Sequence, residues 1–467
     1  MLTEGRFIVV DIGKTLSKVT LWSRDGRMLD RKVRRNASVT AEGLRRLDSE
    51  GIAAWLIEAL ASHRDQPVDA IVPVGHGAGV VALKGDRVAL PSLDYEQALP
   101  SELLRAYRTE RDGFAVTGSP ALPDGLNIGS QLYCLDRLYP DAMREAVLLP
   151  WAQYWAWFLS GQTASEITSL GCHSDLWAPG QARFSPLAER MGWAARFAPL
   201  RAAGDVIGTL RPELAAATGL STSTRVLVGL HDSNAALLAA RGFAAIAEHE
   251  ATVLSTGTWF IAMRLPAEGA DLPVLPEDRD CLVNIDVRGH MVPSARFMGG
   301  REIEAVIGID TRRVDIKPDQ PKLLAAVSDV VDAQAMLLPT LAPGCGPFPK
   351  QQARWLARPD SEYGLRASIC LYAALVADAA LDLVGSRARL LVEGRFAEAA
   401  VFVRALAALR PDSHVYIANA HNDVSFGALR LLDPALAPQG ELQRVEPIGV
   451  SLDGYRDRWR TEVGKLR

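Results

Sequence analysis

Asp232 is the residue in this chain best placed by its neighbours to handle a proton. It lies in Gly229–Ala236, G-L-H-D-S-N-A-A, between an apolar run, Val226–Val228, that reads as a strand and an Ala/Leu run, Ala235–Ala240, that reads as a helix. The mouth of a βα turn is where α/β proteins collect their chemistry. The same position also suits a plain structural role, because Asp, Ser and Asn cap helices by accepting hydrogen bonds from the first free N–H groups. The stretch alone leaves both readings open.

A second chemistry is written in two hairpins. Phe7–Val10 and Lys18–Trp22 read as strands joined by D-I-G-K-T-L-S, a turn that carries Asp11, Gly13, Lys14, Thr15 and Ser17. Backbone N–H groups, hydroxyls and lysines gathered at one point suit a polyphosphate. The string G-K-T is not a P-loop, which needs a glycine where Ile8 stands and a helix where a strand follows. Thr252–Met263, T-V-L-S-T-G-T-W-F-I-A-M, repeats the arrangement of strand, Ser/Thr/Gly turn and strand. The pair predicts a duplicated domain whose two turns face each other across a cleft and grip one phosphate chain. Two unrelated polar hairpins would read the same way.

Ala70–Val74 reads as a buried strand running into G-H-G-A-G, Gly75–Gly79, where glycines around His76 let a ligand approach the backbone. An esterase would also use His-Gly-x-Gly, but no G-x-S-x-G elbow exists in the chain. His76 is therefore a ligand contact or a structural histidine. Asp94, Tyr95 and Glu96 form a polar cluster, either sugar-hydroxyl acceptors or a solvated turn. Trp151, Tyr154, Trp155, Trp157 and Phe158 lie on one helical segment ending at Gly161, a spacing that favours core over ligand stacking. Glu166–Ser174 is small and polar, a loop beside a cleft.

The elements that position these residues follow from composition and periodicity. At 467 residues, 48% hydrophobic and 23% charged, the chain is long enough for two domains with sizeable cores. A net charge of −4 with basic residues spread along the chain argues against nucleic acid or an anionic membrane as partner. Five cysteines without a C-x-x-C pair fit a reduced cytoplasm better than a disulfide framework or a zinc site. Glu4 and Arg6 leave no room for a signal peptide before Asp11, and Asp378 and Asp382 interrupt the longest apolar helix, Ile369–Val384, so no membrane span is expected. Gly51–Ser62 reads as a helix, Pro199–Leu220 as connection, Pro266–Asp280 as an acidic Pro-rich surface loop and Ala342–Pro349 as a rigid turn cluster. Leu390–Glu393, a turn at Gly394, helix Ala397–Leu409, strand Val415–Ala418 and helix Val424–Leu432, starting near Asn422, complete the second half.

Taken in order, D-I-G-K-T-L-S-K at Asp11–Lys18, H-G-A at His76–Ala78, G-L-H-D-S at Gly229–Ser233 and S-T-G-T-W at Ser255–Trp259 resemble the FGGY family of carbohydrate kinases across essentially the whole chain. The H-D and S-T-G-T-W forms look most like its rhamnulose kinase side. The resemblance implies an α/β fold of two actin-like, ribonuclease-H-like domains, residues 1–243 and 244–467, with ATP and a small sugar in the interdomain cleft. It assigns Asp11, Gly13, Lys14, Thr15 and Lys18 to a first phosphate motif and Thr256, Gly257 and Thr258 to a second, with Gly394 in an adenosine motif. His76 and Gly77 match a sugar-contacting turn, beside which Asp94 is a further candidate. His231 and Ser233 match a sugar site around Asp232 as the catalytic base. Two departures stand out: Lys18 where arginine is common, and V-E-G-R-F-A-E-A-A where the family has three glycines.

The activity so implied is transfer of the ATP γ-phosphate to a ketose hydroxyl, of a rhamnulose-, fuculose- or pentulose-like sugar. Mg²⁺ is then expected, held through its waters by Asp11 and close to Asp232. The N-terminus of the following helix is expected to keep Asp232 ionised. The alternatives are a non-catalytic actin-like nucleotide-binding regulator, which would not need Asp232, and a polyol kinase. A homodimer is the default assembly.

Overall fold

In the computed structural model, residues 5–41, 43–307, 317–418 and 424–465 are described. Asn422 lies outside them. The chain divides into two compact units: Met1–Phe243 with Val283–Met291 and Asn422–Gln439, and Ala244–Leu282 with Val292–His421 and Gly440–Arg467. The division is thus not one cut in sequence, because the C-terminal half lends two segments to the first unit.

The first unit is built on a hairpin of β1 (Arg6–Ile12) and β2 (Leu16–Ser23), extended by β3 (Met28–Arg35). β4 (Val68–Gly75) lies parallel to β1 on its other side. Beyond it come the edge strand β5 (Val206–Thr209), then β6 (Arg225–Leu227), and the two-residue β7 (Leu230–His231) also pairs with β4. The sheet order is β5-β6-β4-β1-β2-β3, with β7 beside β4. Ile8, Val9, Val10 and Ile12 are fully buried, as expected of a β-branched strand covered on both faces. Helix α1 (Trp151–Ser160) carries the aromatic run, and Trp151, Trp155 and Trp157 are core. Helix α2 (Asp232–Ala240) follows β7 directly.

The second unit repeats this plan. β8 (Ala251–Thr256) and β9 (Phe260–Leu265) form its hairpin, β10 (Cys281–Ile285) and β11 (Met291–Phe297) extend it, and β12 (Arg389–Gly394) and β13 (His414–Ala418) run parallel to β8 on the other side, edged by β14 (Leu442–Arg444). The order is β10-β11-β9-β8-β12-β13-β14. In both sheets three antiparallel strands lead into two parallel ones and an antiparallel edge. The duplication expected from the two hairpins is therefore a duplication of whole sheets. Helix α3 (Glu362–Leu383) starts seven residues earlier than Ile369. It is long and apolar enough to cross a membrane, yet 89% of its most apolar window is buried in this protein, and Asp378 is ion-paired to Arg410 and Arg460.

Two segments differ from the expectation. Pro199–Leu220 is not mere connection: it supplies β5 and a helix, Pro212–Thr218. Glu166–Ser174 is not an open polar loop, because Ile167–Leu170 is a short helix and Glu166, Thr168 and Ser174 are buried. Polar residues without periodicity read as solvent-facing, whereas here they are buried and bonded to one another.

The joint between β8 and β12 is unusually close. Gly394 has φ +83°, and a Cβ there would lie 2.2 Å from the Thr256 carbonyl oxygen, so only glycine fits. The Thr256 hydroxyl donates to Glu393 O at 2.5 Å and accepts from Phe396 N at 2.9 Å. Glu393 lies within this joint with Oε1 buried and unbonded, and burial pushes its carboxyl up to about 8. The folded protein thus holds a proton that the unfolded chain releases near 4.5. Stability from this group is fully present below about pH 4.5 and declines as pH rises through about 8. Glu393→Gln stays neutral throughout, so the wild-type melting temperature should fall relative to the variant's between about pH 5 and pH 9, by roughly 2 °C or more. Calorimetric melting curves with a constant gap between the two proteins would refute this.

Candidate active site

Three adjacent parallel strands of the first unit end on one rung. Ile12 of β1 and His231 of β7 both pair with Gly75 of β4. One residue further along, the three chains present Gly13, His76 and Asp232. Ligands in open α/β sheets bind outside the carboxyl ends of the strands, and the sheet register brings these three motifs to that edge.

The segment before Asp232 is held at several points. Gly229 has φ +78°, and a Cβ there would meet the Pro73 carbonyl oxygen at 2.1 Å, so the break between β6 and β7 requires glycine. Gln153, fully buried on α1, donates from Nε2 to Val228 O at 3.3 Å and Gly229 O at 3.1 Å. The His231 N–H donates to Thr168 Oγ1 at 3.0 Å. His231 occupies the N-cap position of α2 without a side-chain cap bond, and Asp232 is the first helical residue. The capping reading of Asp232 therefore fails: it does not stand at the cap.

The Asp232 side chain is 32% exposed and takes a hydrogen bond from Ser233 Oγ at 3.3 Å. Protein crowds it closely enough that burial raises its pKa to about 6, against the hydrogen bonds of Ser233 and the charge of Lys18. Asp232 thus stays mostly ionised at neutral pH, as expected, but desolvation makes it a stronger base than its place at a helix start alone implies. A carboxylate of this kind is mostly ionised at neutral pH yet a far better proton acceptor than an exposed aspartate. His231 Nε2 lies 3.2 Å from Asp232 Oδ1. Burial lowers His231 to about 4, so the imidazole is neutral and this is a close contact of Nε2 with the carboxylate and not an ion pair. Its Nδ1 is buried without a partner.

His76 mirrors this arrangement. Its Nδ1 accepts from Ala78 N at 3.3 Å, which places the ring proton on Nε2, a buried atom without a partner. Burial, with the nearby His231, His173 and Lys14, lowers it to about 3. The ring stacks on Trp151 at 5.6 Å and meets Tyr95 edge-on at 5.3 Å. Trp151 in turn donates from Nε1 to Ile12 O at 2.9 Å, so the aromatic helix also orients the histidine and braces the end of β1. Gly77 must be glycine, since a Cβ there would lie 2.8 Å from both His231 Nε2 and Cys172 Sγ. Two neutral imidazoles thus offer one unbonded donor and one unbonded acceptor.

Asp11 is a strand residue rather than a turn residue, and Lys18 lies on β2 as expected. They face each other across the β1–β2 ladder and form an ion pair at 2.9 Å. The turn proper is Gly13–Thr15, closed by Gly13 N donating to Leu16 O at 3.0 Å. Asn36 clamps it, donating to Gly13 O at 2.7 Å and Thr15 O at 2.9 Å and accepting from Ser17 Oγ at 2.7 Å. Lys14 turns the other way: its Nζ lies 3.0 Å from Asp94, against Glu96, and 4.4 Å from the Tyr95 ring. Asp94 is buried and also bound by Arg45, Ser38 Oγ and Glu96 N. Burial pushes its pKa up, but Ser38, Glu96 and Lys14 outweigh that and leave it lowered. Asp94 and Lys14 therefore stabilise the loop under His76.

In the second unit, Thr256 pairs with Gly394 on one rung, and the turn Gly257–Trp259 is closed by Gly257 N donating to Trp259 O at 3.0 Å. Thr258 is exposed at its tip, whereas the Thr256 hydroxyl is committed to the joint with β12. A charged carboxyl at Glu393 would repel phosphate, and its raised pKa leaves it protonated at neutral pH. For a cation, Asp11 and Asp232 are the carboxylates at the strand ends. No cluster of three or more His, Cys, Asp or Glu ligands occurs among the described residues.

Sequence reasoning missed Gln153, Glu166, Thr168 and Asn36. A glutamine inside an aromatic helix and the Glu-x-Thr-Ser string were the signals available.

Residues 248–440 match the carbohydrate kinase FGGY C-terminal domain family. No curated protein sequence matches the chain. Among solved structures, a carbohydrate kinase from Novosphingobium aromaticivorans is 64% identical, covering 99% of both chains with a TM-score of 0.96. A ligand-bound xylulose kinase from Lactobacillus acidophilus is 12% identical over 99% of this chain and 97% of its own, with a TM-score of 0.79. A glycerol kinase from Plasmodium falciparum, solved with ADP, is 10% identical over 99% and 98%, with a TM-score of 0.80. The last two share the fold, a pair of actin-like α/β domains, and the 64% identical carbohydrate kinase together with the matched C-terminal domain carries the family assignment: the chain belongs to the FGGY family of carbohydrate kinases.

Proposed function

We propose that this kinase transfers the ATP γ-phosphate to a hydroxyl of a small ketose, with Asp232 accepting the hydroxyl proton. The observation that carries the reading is the shared rung at Ile12, Gly75 and His231, which sets Gly13, His76 and Asp232 side by side. Phosphoryl transfer asks the protein mainly to position groups and neutralise charge. His76 Nε2 donates to one sugar hydroxyl and His231 Nδ1 accepts from another. Asp232 then takes the proton of the attacking oxygen, its carboxylate held by Ser233 Oγ and packed against His231. A deoxy L-sugar or pentulose is the acceptor favoured by the H-D and S-T-G-T-W motifs.

Lys18 balances Asp11 and draws Asp232 toward the ionised form. The Gly13–Thr15 and Gly257–Trp259 turns are assigned to the nucleotide phosphates, with Gly394 on the adenosine side. Residues 1–243 then supply the sugar site and 244–467 the main nucleotide contacts. Mg²⁺ bound near Asp11 and Asp232 supplies charge neutralisation on the phosphates. A cytoplasmic location fits five free cysteines, and a homodimer is the assembly proposed.

A panel of ketoses, aldoses and polyols in a coupled ADP-release assay tests the acceptor, and turnover confined to polyols or absent with every ketose overturns it. Asp232→Asn should lower kcat by about 10²- to 10⁴-fold. Near wild-type turnover in that variant excludes the base role. Asp11→Ala should raise the Mg²⁺ concentration needed for half-maximal rate, and an unchanged metal titration curve would count against its assignment.

A further inference from the structure

A buried relay reaches the base from a segment with no part in the chemistry above. Glu166 is fully buried, and its carboxyl accepts from Thr168 N at 3.0 Å, Thr168 Oγ1 at 2.6 Å and Ser169 N at 3.2 Å. Because the Thr168 hydroxyl spends its proton on Glu166, its lone pairs are turned outward. One of them accepts the His231 N–H at 3.0 Å. His231 is the residue from which α2 starts, and Asp232 follows it.

A surface cap for the short helix Ile167–Leu170 would need only a serine or aspartate. A wholly buried glutamate is a costly substitute, since burial lifts its pKa to about 7 against the four hydrogen bonds of Thr168 and Ser169. What the buried carboxyl adds is a fixed rotamer for Thr168. A hydroxyl donating into a short carboxyl bond is also a stronger acceptor. Gln153 holds the segment just before this strand, at Val228 and Gly229. The backbone between Val228 and Asp232 is thus gripped from α1 on one side and from Thr168 on the other.

We propose that Glu166 and Thr168 are positioning residues for the reaction: through the His231 amide they set the place and angle at which Asp232 meets the sugar hydroxyl. This rests on the base role of Asp232. Thr168→Val keeps the side-chain shape and removes the hydroxyl, so kcat should fall by about 10- to 100-fold, with KM for sugar and ATP little changed. Thr168→Ser should recover most of the loss. The proposal is overturned if Thr168→Val keeps wild-type kcat, if Thr168→Ser is as impaired as Thr168→Val, or if kcat falls only in proportion to the folded fraction measured by calorimetry. Should Thr168→Val not fold, Glu166→Gln is read by the same kcat-against-KM split. Asp232→Asn measured alongside separates the two readings. Retained turnover there fails the base role itself, whereas an inactive Asp232→Asn beside a fully active Thr168→Val overturns the positioning pair alone.

Discussion

One rung of a parallel sheet governs the candidate site. Strands β1, β4 and β7 stop together at Ile12, Gly75 and His231, so three motifs separated by more than 200 residues of sequence emerge as neighbours. This follows from hydrogen-bond register: a slip of one residue would send each following side chain to the opposite face. The register is protected by packing that leaves no slack. Gly75 lies against Trp151 and Ala152, Gly77 against His231 and Cys172, and Gly229 against Pro73, each so close that a single added carbon would collide.

Burial then decides the chemistry of what the rung presents. His76 and His231 are both held neutral because an imidazolium so enclosed would lose its hydration. The same desolvation lifts Asp232 to about 6 and Glu166 to about 7. Asp94, equally enclosed, goes the other way because Ser38, Glu96 and Lys14 bind its ionised form. Carboxyls on one unit thus differ in role through their partners and not through their residue type.

The two sheets share a plan and have diverged in use. In the first unit the hairpin turn is braced by Asn36 and the strand ends carry His and Asp. In the second, the matching strand end is consumed by contact between Thr256 and Gly394, and the turn tip at Thr258 is left exposed. One copy thus ends in a His- and Asp-bearing edge and the other in a glycine-lined one.

The sequence by itself determined the elements whose signals are local. Both hairpins, the aromatic core helix, the Gly229–Ala236 strand-to-helix turn and the four motifs in order could be read there, because period-two strands, glycine turns and motif strings are written in contiguous residues. Tertiary structure decided what depends on partners distant in the chain. Asp11 and Lys18 became a cross-strand pair, the Lys14 ammonium paired with Asp94 and Glu96, and Glu166 and Thr168 passed from a supposed loop to the interior. Asp232 became a carboxyl whose pKa is raised by desolvation. Those outcomes turn on which side chains desolvate or neutralise one another, and that is set only when strands about 60 to 220 residues apart close into one sheet.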